Sequence, residues 1–342
     1  MNLDDLIAPA RLGPALAELT GEPAWRELSA ELISGGKSNL TFTLTNSKGH
    51  ELILRRPPTG ELLPSAHDMG REATVQRGLA DTPIPVPPIV LHDEGELIGI
   101  QCYVMEKVAG HVIRGELPAG YAQSPAEREA MAHVFVDTLA DLHDVDAEAV
   151  GLGAYGRPAG FMERQVRRWG GQWEASRFHP VAEIEELGRL LATRIPGQQR
   201  SAIVHGDYRT DNVVYDANRP GQINGVLDWE LSTLGDPLAD LGQLLLYWRE
   251  QGEAQLRLIP GISNLPGFPG REALLQRYAD RSGADLSELG FYQAFAHYKF
   301  AIIAQGVSAR SRAGAMGGQD FGNLDDDILH LGQQGLALLK EH

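Results

Sequence analysis

The periodicity of the chain changes near residue 109, and this change constrains the fold more than any other feature. Before it, residues 29–56, "SAELISGGKSNLTFTLTNSKGHELILRR", read as strands with turns at Gly35-Gly36 and Asn46–Gly49. "LTFTLT" alternates with the period of a half-buried strand, and "ELILRR" follows as a second one. "HDMGREATVQRGLA", 67–80, fits a helix, and 83–110 fits a Pro-rich lead-in and two strands around a turn at Asp93–Gly95. After residue 109, "SPAEREAMAHVFVDTLADLHDVD" reads as a long helix with Ser124 at the N-cap and Glu127 three residues on. Further helices are predicted near 160–175, 180–194, 237–250, 270–282, 287–310 and 325–340. Short strands in "AIVHGD", "NVVYD" and "INGVLDWE" fall between them. A chain of 342 residues exceeds one small core, so a sheet-rich lobe followed by a helical lobe is expected, with a cleft between them as the ligand site.

Charge and composition narrow the function classes. Thirty basic against 46 acidic residues leave a net charge of −16, which argues against nucleic-acid backbone binding as the main task. The single cysteine, Cys102, lies in the apolar "IGIQCYVME" and reads as a small buried hydrophobe, in keeping with a reducing compartment. The start "MNLDDLIAPARLG" lacks the pattern of a secretory signal, and no window approaches 18 uninterrupted apolar residues. The expectation is a cytoplasmic protein with no membrane partner.

Two motifs point to phosphate chemistry, and one of them fails. "ISGGKSN" ends like a P-loop, Gly-x4-Gly-Lys-Ser/Thr, at Gly36-Lys37-Ser38. That pattern requires Gly at position 31, where Glu31 stands, and a helix where "LTFTLT" alternates as a strand. What remains is a turn that is either an ordinary hairpin or one whose backbone at Gly35, Gly36 and Ser38 sits over phosphates. The second motif is "HGDYRTDN". Asp207 and Asn212 have four residues between them, as in the kinase catalytic loop His-Arg-Asp-x4-Asn, and Asp228 in "INGVLDWE" stands where kinases carry Asp-Phe-Gly. Phosphoryl transfer needs a carboxylate beside the attacking hydroxyl and oxygen ligands that hold Mg²⁺ on the phosphates. Asp207 suits the first role, and Asn212 and Asp228 the second. Asp and Asn also favour turns, but three of them at this spacing are better explained by the chemistry.

"VHGDYRTDNVVYD" with "GVLDWELSTLGDPLADLG" resembles the aminoglycoside phosphotransferase and choline kinase superfamily. Gly206, where protein kinases have Arg, and the trailing "GDPLADL" favour this branch. "LILRRPPTGELLPSAHDMGRE", "PVPPIVLHDE", "YVMEKVAG" and "RQVRRW" are similar to phrases of the subgroup fused to, or encoded near, acyl-CoA dehydrogenases. The resemblance runs from about residue 29 to 310. It implies an α+β, bilobal, protein kinase-like fold: a small antiparallel-sheet lobe with one main helix (1–104), a hinge (105–109) and a larger, mostly helical lobe (110–342). It also implies ATP and Mg²⁺ as cofactors, a small-molecule hydroxyl as acceptor and a link to an acyl-CoA dehydrogenase.

The resemblance assigns further residues. Arg55, with Arg56 as the alternative, replaces the usual Lys at the end of strand three, where it contacts phosphates and pairs with Glu72. Backbone groups around Glu106–Val108 hold the adenine ring. His205 braces the catalytic loop, and Asp236 and Asp240 cap and anchor the following helix. Tyr208, Arg209 and Asp211 lie near the acceptor. Arg168 and Trp169 in "RQVRRWGGQW" are either a solvated basic face with Trp packed inward or a wall of the acceptor site. A hydroxyacyl-CoA or hydroxy acid ranks first as acceptor, with an aminoglycoside as the alternative. A catalytically silent nucleotide-binding module and a metal-dependent hydrolase built on His205, Asp207 and Asp228 are the competing readings.

Overall fold

Alternation in "LTFTLT" and "LILRR" sends successive side chains to opposite faces of a sheet, so a strand buried on both faces needs a cover on each. The computed structural model, which describes residues 3–33, 39–59, 68–253, 255–312 and 321–340, supplies both covers. In chain order, its first elements are α1 (Leu3–Ile7), α2 (Pro9–Thr20), β1 (Leu28–Leu32), β2 (Leu40–Asn46), β3 (Glu51–Arg56), α3 (Met69–Leu79), β4 (Ile89–Asp93) and β5 (Cys102–Glu106). Helices α4 (Pro125–Asp144), α5 (Phe161–Ser176) and α6 (Ala182–Thr193) follow. Short strands β6 (Ala202–Val204), β7 (Val213–Tyr215), β8 (Ile223–Val226) and β9 (Thr233–Gly235) come next. The chain continues with α7 (Pro237–Tyr247), α8 (Arg271–Ser282), α9 (Leu289–Arg312) and α10 (Asp325–Leu338). Two compact units result: Met1–Gly110 with Asn224–Ser232, and His111–Ile223 with Thr233–His342.

The first unit carries an antiparallel sheet in the order β1-β2-β3-β5-β4. One face sets Phe42, Leu44, Leu52, Leu54, Cys102 and Val104 against Leu12, Leu16 and Trp25 of the N-terminal segment. The other sets Ile53, Tyr103 and Met105 against Met69 and Ala73 of α3. Burial pushes the Cys102 thiol up to about 12, so it behaves as the hydrophobe expected. The period of two therefore sends Arg55 to the α3 face and Arg56 to the other. There Arg56 donates to the carbonyls of Leu6 (2.8 Å) and Pro57 (3.2 Å).

In the second unit α9 is buried from Leu289 to Ser308 around most of its circumference, because α5, α6, α7 and α10 all pack on it. The capping box predicted for α4 is present: Glu127 N donates to Ser124 Oγ (3.3 Å), and Ser124 N donates to Glu127 Oε2 (2.9 Å). Two forked ion pairs, Arg277–Asp137 and Arg281–Asp141, tie α8 to α4. Among the described residues no helix is long and apolar enough to cross a membrane.

Candidate active site

Strand pairing and one helical turn assemble the ionic centre of the first unit. β3 pairs with β5 so that Arg55 lies opposite Tyr103, and Glu72 sits in the first turn of α3, which Asp68 caps through Arg71 N (3.0 Å). Arg55 Nη1 is 3.0 Å from Glu72 Oε2, and Nη2 is 2.9 Å from Asp228 Oδ1. Tyr103 Oη donates to Glu72 Oε2 (2.9 Å), and Asn39 Nδ2 donates to Glu72 Oε1 (3.0 Å). Burial alone would neutralise both members of the Arg55–Glu72 pair. Tyr103, Glu72 and Asp228 hold the Arg55 guanidinium well above its ordinary value, whereas burial lifts the Glu72 carboxyl above its own, against the pull of Arg55 and the Tyr103 hydrogen bond. Arg55, rather than Arg56, is thus the strand-three arginine that meets Glu72. Its Nε is buried with no partner among the described residues.

Asp228 has a second mark of a functional position. Its φ of 67° and ψ of 61° lie in the left-handed region that non-glycine residues avoid, a strain that persists only where the surroundings impose it. The Trp229–Leu231 turn that follows is pinned by Trp229 Nε1 on the Val226 carbonyl (3.0 Å). With Oδ1 on Arg55, Oδ2 is the oxygen left for a ligand.

In the second unit, β6 is buried throughout and delivers His205-Gly206-Asp207 to a tight loop. Gly206 takes a φ of 83°, which accounts for glycine where protein kinases carry Arg. All four lone-pair directions of the Asp207 carboxylate are engaged. Oδ1 accepts from Gln243 Nε2 (3.0 Å) and Tyr247 Oη (3.1 Å). Oδ2 accepts from Arg209 Nε (3.0 Å) and Asn212 Nδ2 (3.2 Å). Asn212 Nδ2 also reaches the Asp207 carbonyl (2.8 Å), which leaves its Oδ1 open. Behind them Lys299 Nζ donates to Gln243 Oε1 (2.5 Å) and to the Gly206 carbonyl (2.9 Å). Burial pulls the Lys299 ammonium below its ordinary value, against the opposing pull of Asp207 and Asp240.

Asp240 differs from the expectation that it anchors its own helix. Its Oδ2 accepts from His205 N (2.6 Å) and its Oδ1 from Gly206 N (2.8 Å), while His143 Nε2 lies 3.3 Å from Oδ2. It is the backbone clamp of the His205–Asp207 loop. Asp236 is the cap, accepting from Leu238 N (3.1 Å). His205 braces the loop as expected, with Nδ1 accepting from Asp207 N (3.2 Å). Burial would raise Asp240, but the His143 bond, the His143 and His205 rings and the Gly206 amide outweigh it, so its carboxyl lies below the ordinary value. A carboxylate depressed by folding adds stability above its unfolded value, near pH ~4, and loses it as pH falls through the lower folded value. Asp240→Ala is expected to cost about 3 kcal/mol at neutral pH, since it orphans two buried amides. Urea unfolding at neutral pH and below pH ~4 checks this, because the gap between wild type and variant should close in acid.

The remaining expected residues fall in different settings. Gly35, Gly36 and Ser38 lie outside the described residues. Glu106 ends β5 with its N–H given to the Pro88 carbonyl (2.9 Å), and Val108 follows with its side chain against Gly225. Tyr208 is corrected to a core residue: it is 1% exposed, stacks on Phe135 at 4.5 Å and donates to the Phe135 carbonyl, so no ligand reaches it. Arg209 bridges Asp207 and Asp211. In α5, Trp169 and Trp173 pack inward while Arg167 and Arg168 are exposed. Gln243, Tyr247 and Lys299 escape the motif reading, although a lone Gln inside the apolar run "LADLGQLLLY" was a signal. A groove of about 760 Å³ between α5, α6 and α9 is lined by Val166, Trp173, Gly188, Ile195 and Tyr298, and no Asp207 neighbour lines it.

The sequence model of the phosphotransferase enzyme family matches residues 29–285. The chain belongs to the phosphotransferase enzyme family. This phosphotransferase is 37% identical over 309 residues to acyl-CoA dehydrogenase family member 11 of Rattus norvegicus, a match covering 89% of the chain and 39% of the rat protein. The chain spans about two-fifths of the length of its rat, human and chicken relatives. A solved structure of a candidate aminoglycoside phosphotransferase from Ralstonia eutropha superposes with a TM-score of 0.81 at 31% identity, covering 99% of this chain and 98% of that one. Choline kinase from Cryptosporidium parvum shares the fold, with a TM-score of 0.66 at 12% identity, and covers 99% and 96% of the two chains. The phosphotransferase therefore has a kinase-like α+β fold and is a small-molecule kinase that acts on hydroxyl groups.

Proposed function

We propose that this phosphotransferase moves the γ-phosphoryl group of ATP to the hydroxyl of a hydroxyacyl-CoA or related hydroxy acid. The observation that carries the reading is the Asp207 carboxylate, held by four donors at the head of the His-Gly-Asp-x4-Asn loop. The acceptor hydroxyl takes the place of a donor on Oδ1 and gives its proton to that oxygen as its own oxygen attacks the γ-phosphorus. The bond from the γ-phosphorus to the bridging oxygen breaks, and ADP leaves. Asn212 Oδ1 and Asp228 Oδ2 are hard oxygen ligands suited to Mg²⁺, which when bound neutralises phosphate charge. Arg55 Nε supplies a donor with no competing acceptor for the α- and β-phosphates, and Arg keeps the charge of the usual Lys. Backbone groups around Glu106–Val108 hold the adenine.

The names of the relatives support a link to acyl-CoA dehydrogenases. Phosphorylation turns a hydroxyl into a leaving group, and the elimination that follows yields an unsaturated acyl chain. The net charge of −16 favours a second reading, an aminoglycoside O-phosphotransferase, because it attracts polycations. An ATP-consumption screen over hydroxyacyl-CoAs, hydroxy acids, aminoglycosides, choline and sugars separates the two. Turnover on the hydroxy compounds that is lost in Asp207→Asn is the expected result. Turnover confined to aminoglycosides favours the second reading, and nucleotide binding without turnover on any acceptor favours a silent module.

A further inference from the structure

Around Asp207 in the second unit the carboxylates and Arg209 are engaged with one another, whereas Lys299 and Arg168 form no ion pair among the described residues. Asp211 Oδ2 is paired with Arg209 Nη1 (3.0 Å), and Asp240 is taken up by the His205 and Gly206 amides and His143. Lys299 uses two of its three N–H bonds, on Gly206 and Gln243. Arg168 is exposed and has no ion pair or hydrogen bond among the described residues. Both cations face one indole: Lys299 Nζ lies 5.7 Å and Arg168 Cζ 5.8 Å from the Trp169 ring centroid. That indole is 8% exposed, and its Nε1 is buried with no partner among the described residues. An ammonium, a guanidinium and an N–H donor thus gather at one ring with no acceptor among them, one hydrogen-bonded step behind Asp207.

We infer that Lys299, Arg168 and the Trp169 indole N–H form a subsite for an anionic group that the acceptor carries beside its hydroxyl. The inference rests on Asp207 as the residue that meets the acceptor. It makes the acceptor an anion: a polycation would find no carboxylate here without a partner and would face two like charges. An anion, in turn, stabilises a lysine whose charge burial opposes. The shared chemistry is a carboxylate or a phosphate. A free hydroxy acid and a CoA thioester, whose phosphates carry the charge, separate the two sources.

Acceptor-dependent ATP consumption tests the subsite with straight-chain hydroxy acids, their methyl esters, their CoA thioesters and matched amino alcohols. Wild type is expected to prefer the anions. Arg168→Gln should lose on the order of tenfold to a hundredfold in kcat/KM on the preferred anion, the scale of one charge-assisted hydrogen bond, and little on the ester. Lys299→Met, which also releases Gln243 and the Gly206 carbonyl, should lose on both and more on the anion. Equal use of acid, thioester and ester by wild type, or equal losses on all of them, overturns the subsite. A second arm needs no turnover: iodide quenching of Trp169 fluorescence, taken as the difference from Trp169→Phe. Quenching should fall in Arg168→Gln, an exposed change that leaves the fold intact, and in Lys299→Met. Quenching unchanged by either loss overturns the subsite as well. If Asp207→Asn leaves ATP consumption intact, the kinase reading fails, and the iodide arm still decides the anion site.

Discussion

Asp207→Asn is expected to lower phosphoryl transfer by two to four orders of magnitude, roughly the contribution of a positioned general base, while nucleotide affinity stays unchanged. The carboxylate is surrounded only by donors: Gln243 and Tyr247 on Oδ1, Arg209 and Asn212 on Oδ2. An amide there must turn its NH₂ towards two of these donors, and it has no lone pair of comparable basicity for the acceptor proton. The side chain is 23% exposed, so a neutral isostere leaves the core intact. Single-turnover transfer and nucleotide titration on the same preparation separate the two effects. Full turnover in the variant contradicts the assignment.

Arg55→Met is expected to destabilise the first unit by about 3–5 kcal/mol, the usual consequence of removing one partner from a buried ion pair. The Glu72 side chain is 1% exposed and the Arg55 side chain 10%, so water does not replace the lost guanidinium. Adding Glu72→Gln removes the orphaned charge yet keeps groups for Asn39 and Tyr103. The double variant should therefore recover much of the stability and none of the turnover, a coupling that a double-mutant cycle reads directly. Arg55→Lys should fold but lose activity, because one ammonium cannot reach Glu72 and Asp228 as the two guanidinium nitrogens do. Urea unfolding and steady-state turnover on wild type, Arg55→Met, Glu72→Gln, the double variant and Arg55→Lys give both readings. Additive stabilities would show that Arg55 and Glu72 do not act as a pair.

Which parts of this were legible beforehand follows from the range of each interaction. The period of two in "LILRR" already required Arg55 and Arg56 to point apart, so the strand pattern limited the choice to one of them. Only the position of α3 says which, since Glu72 lies on that face. The helices Leu3–Ile7 and Pro9–Thr20 are short, and the second carries Pro14 inside, which hides their role as the cover of the opposite sheet face. Asp207, Asn212 and Asp228 stood out because a local spacing encodes them. Gln243 and Tyr247 act on Asp207 from 36 and 40 residues downstream, and Lys299 reaches Gly206 across 93, distances at which no local pattern survives. Asp240 illustrates the same limit: its cap-like position near a helix start is local, whereas its hold on the His205 and Gly206 amides is tertiary. Tyr208 shows the converse, since proximity to Asp207 in sequence does not bring it to the ligand side of the loop.

The most direct measurement of the central claim is the fate of the γ-phosphorus, followed by ³¹P NMR with ATP, Mg²⁺ and the best acceptor of the screen. The expected result is a phosphate monoester on the acceptor hydroxyl that grows with ADP in equal amounts and is absent with Asp207→Asn. Inorganic phosphate as the sole new phosphorus signal, formed at the same rate without acceptor, would contradict it.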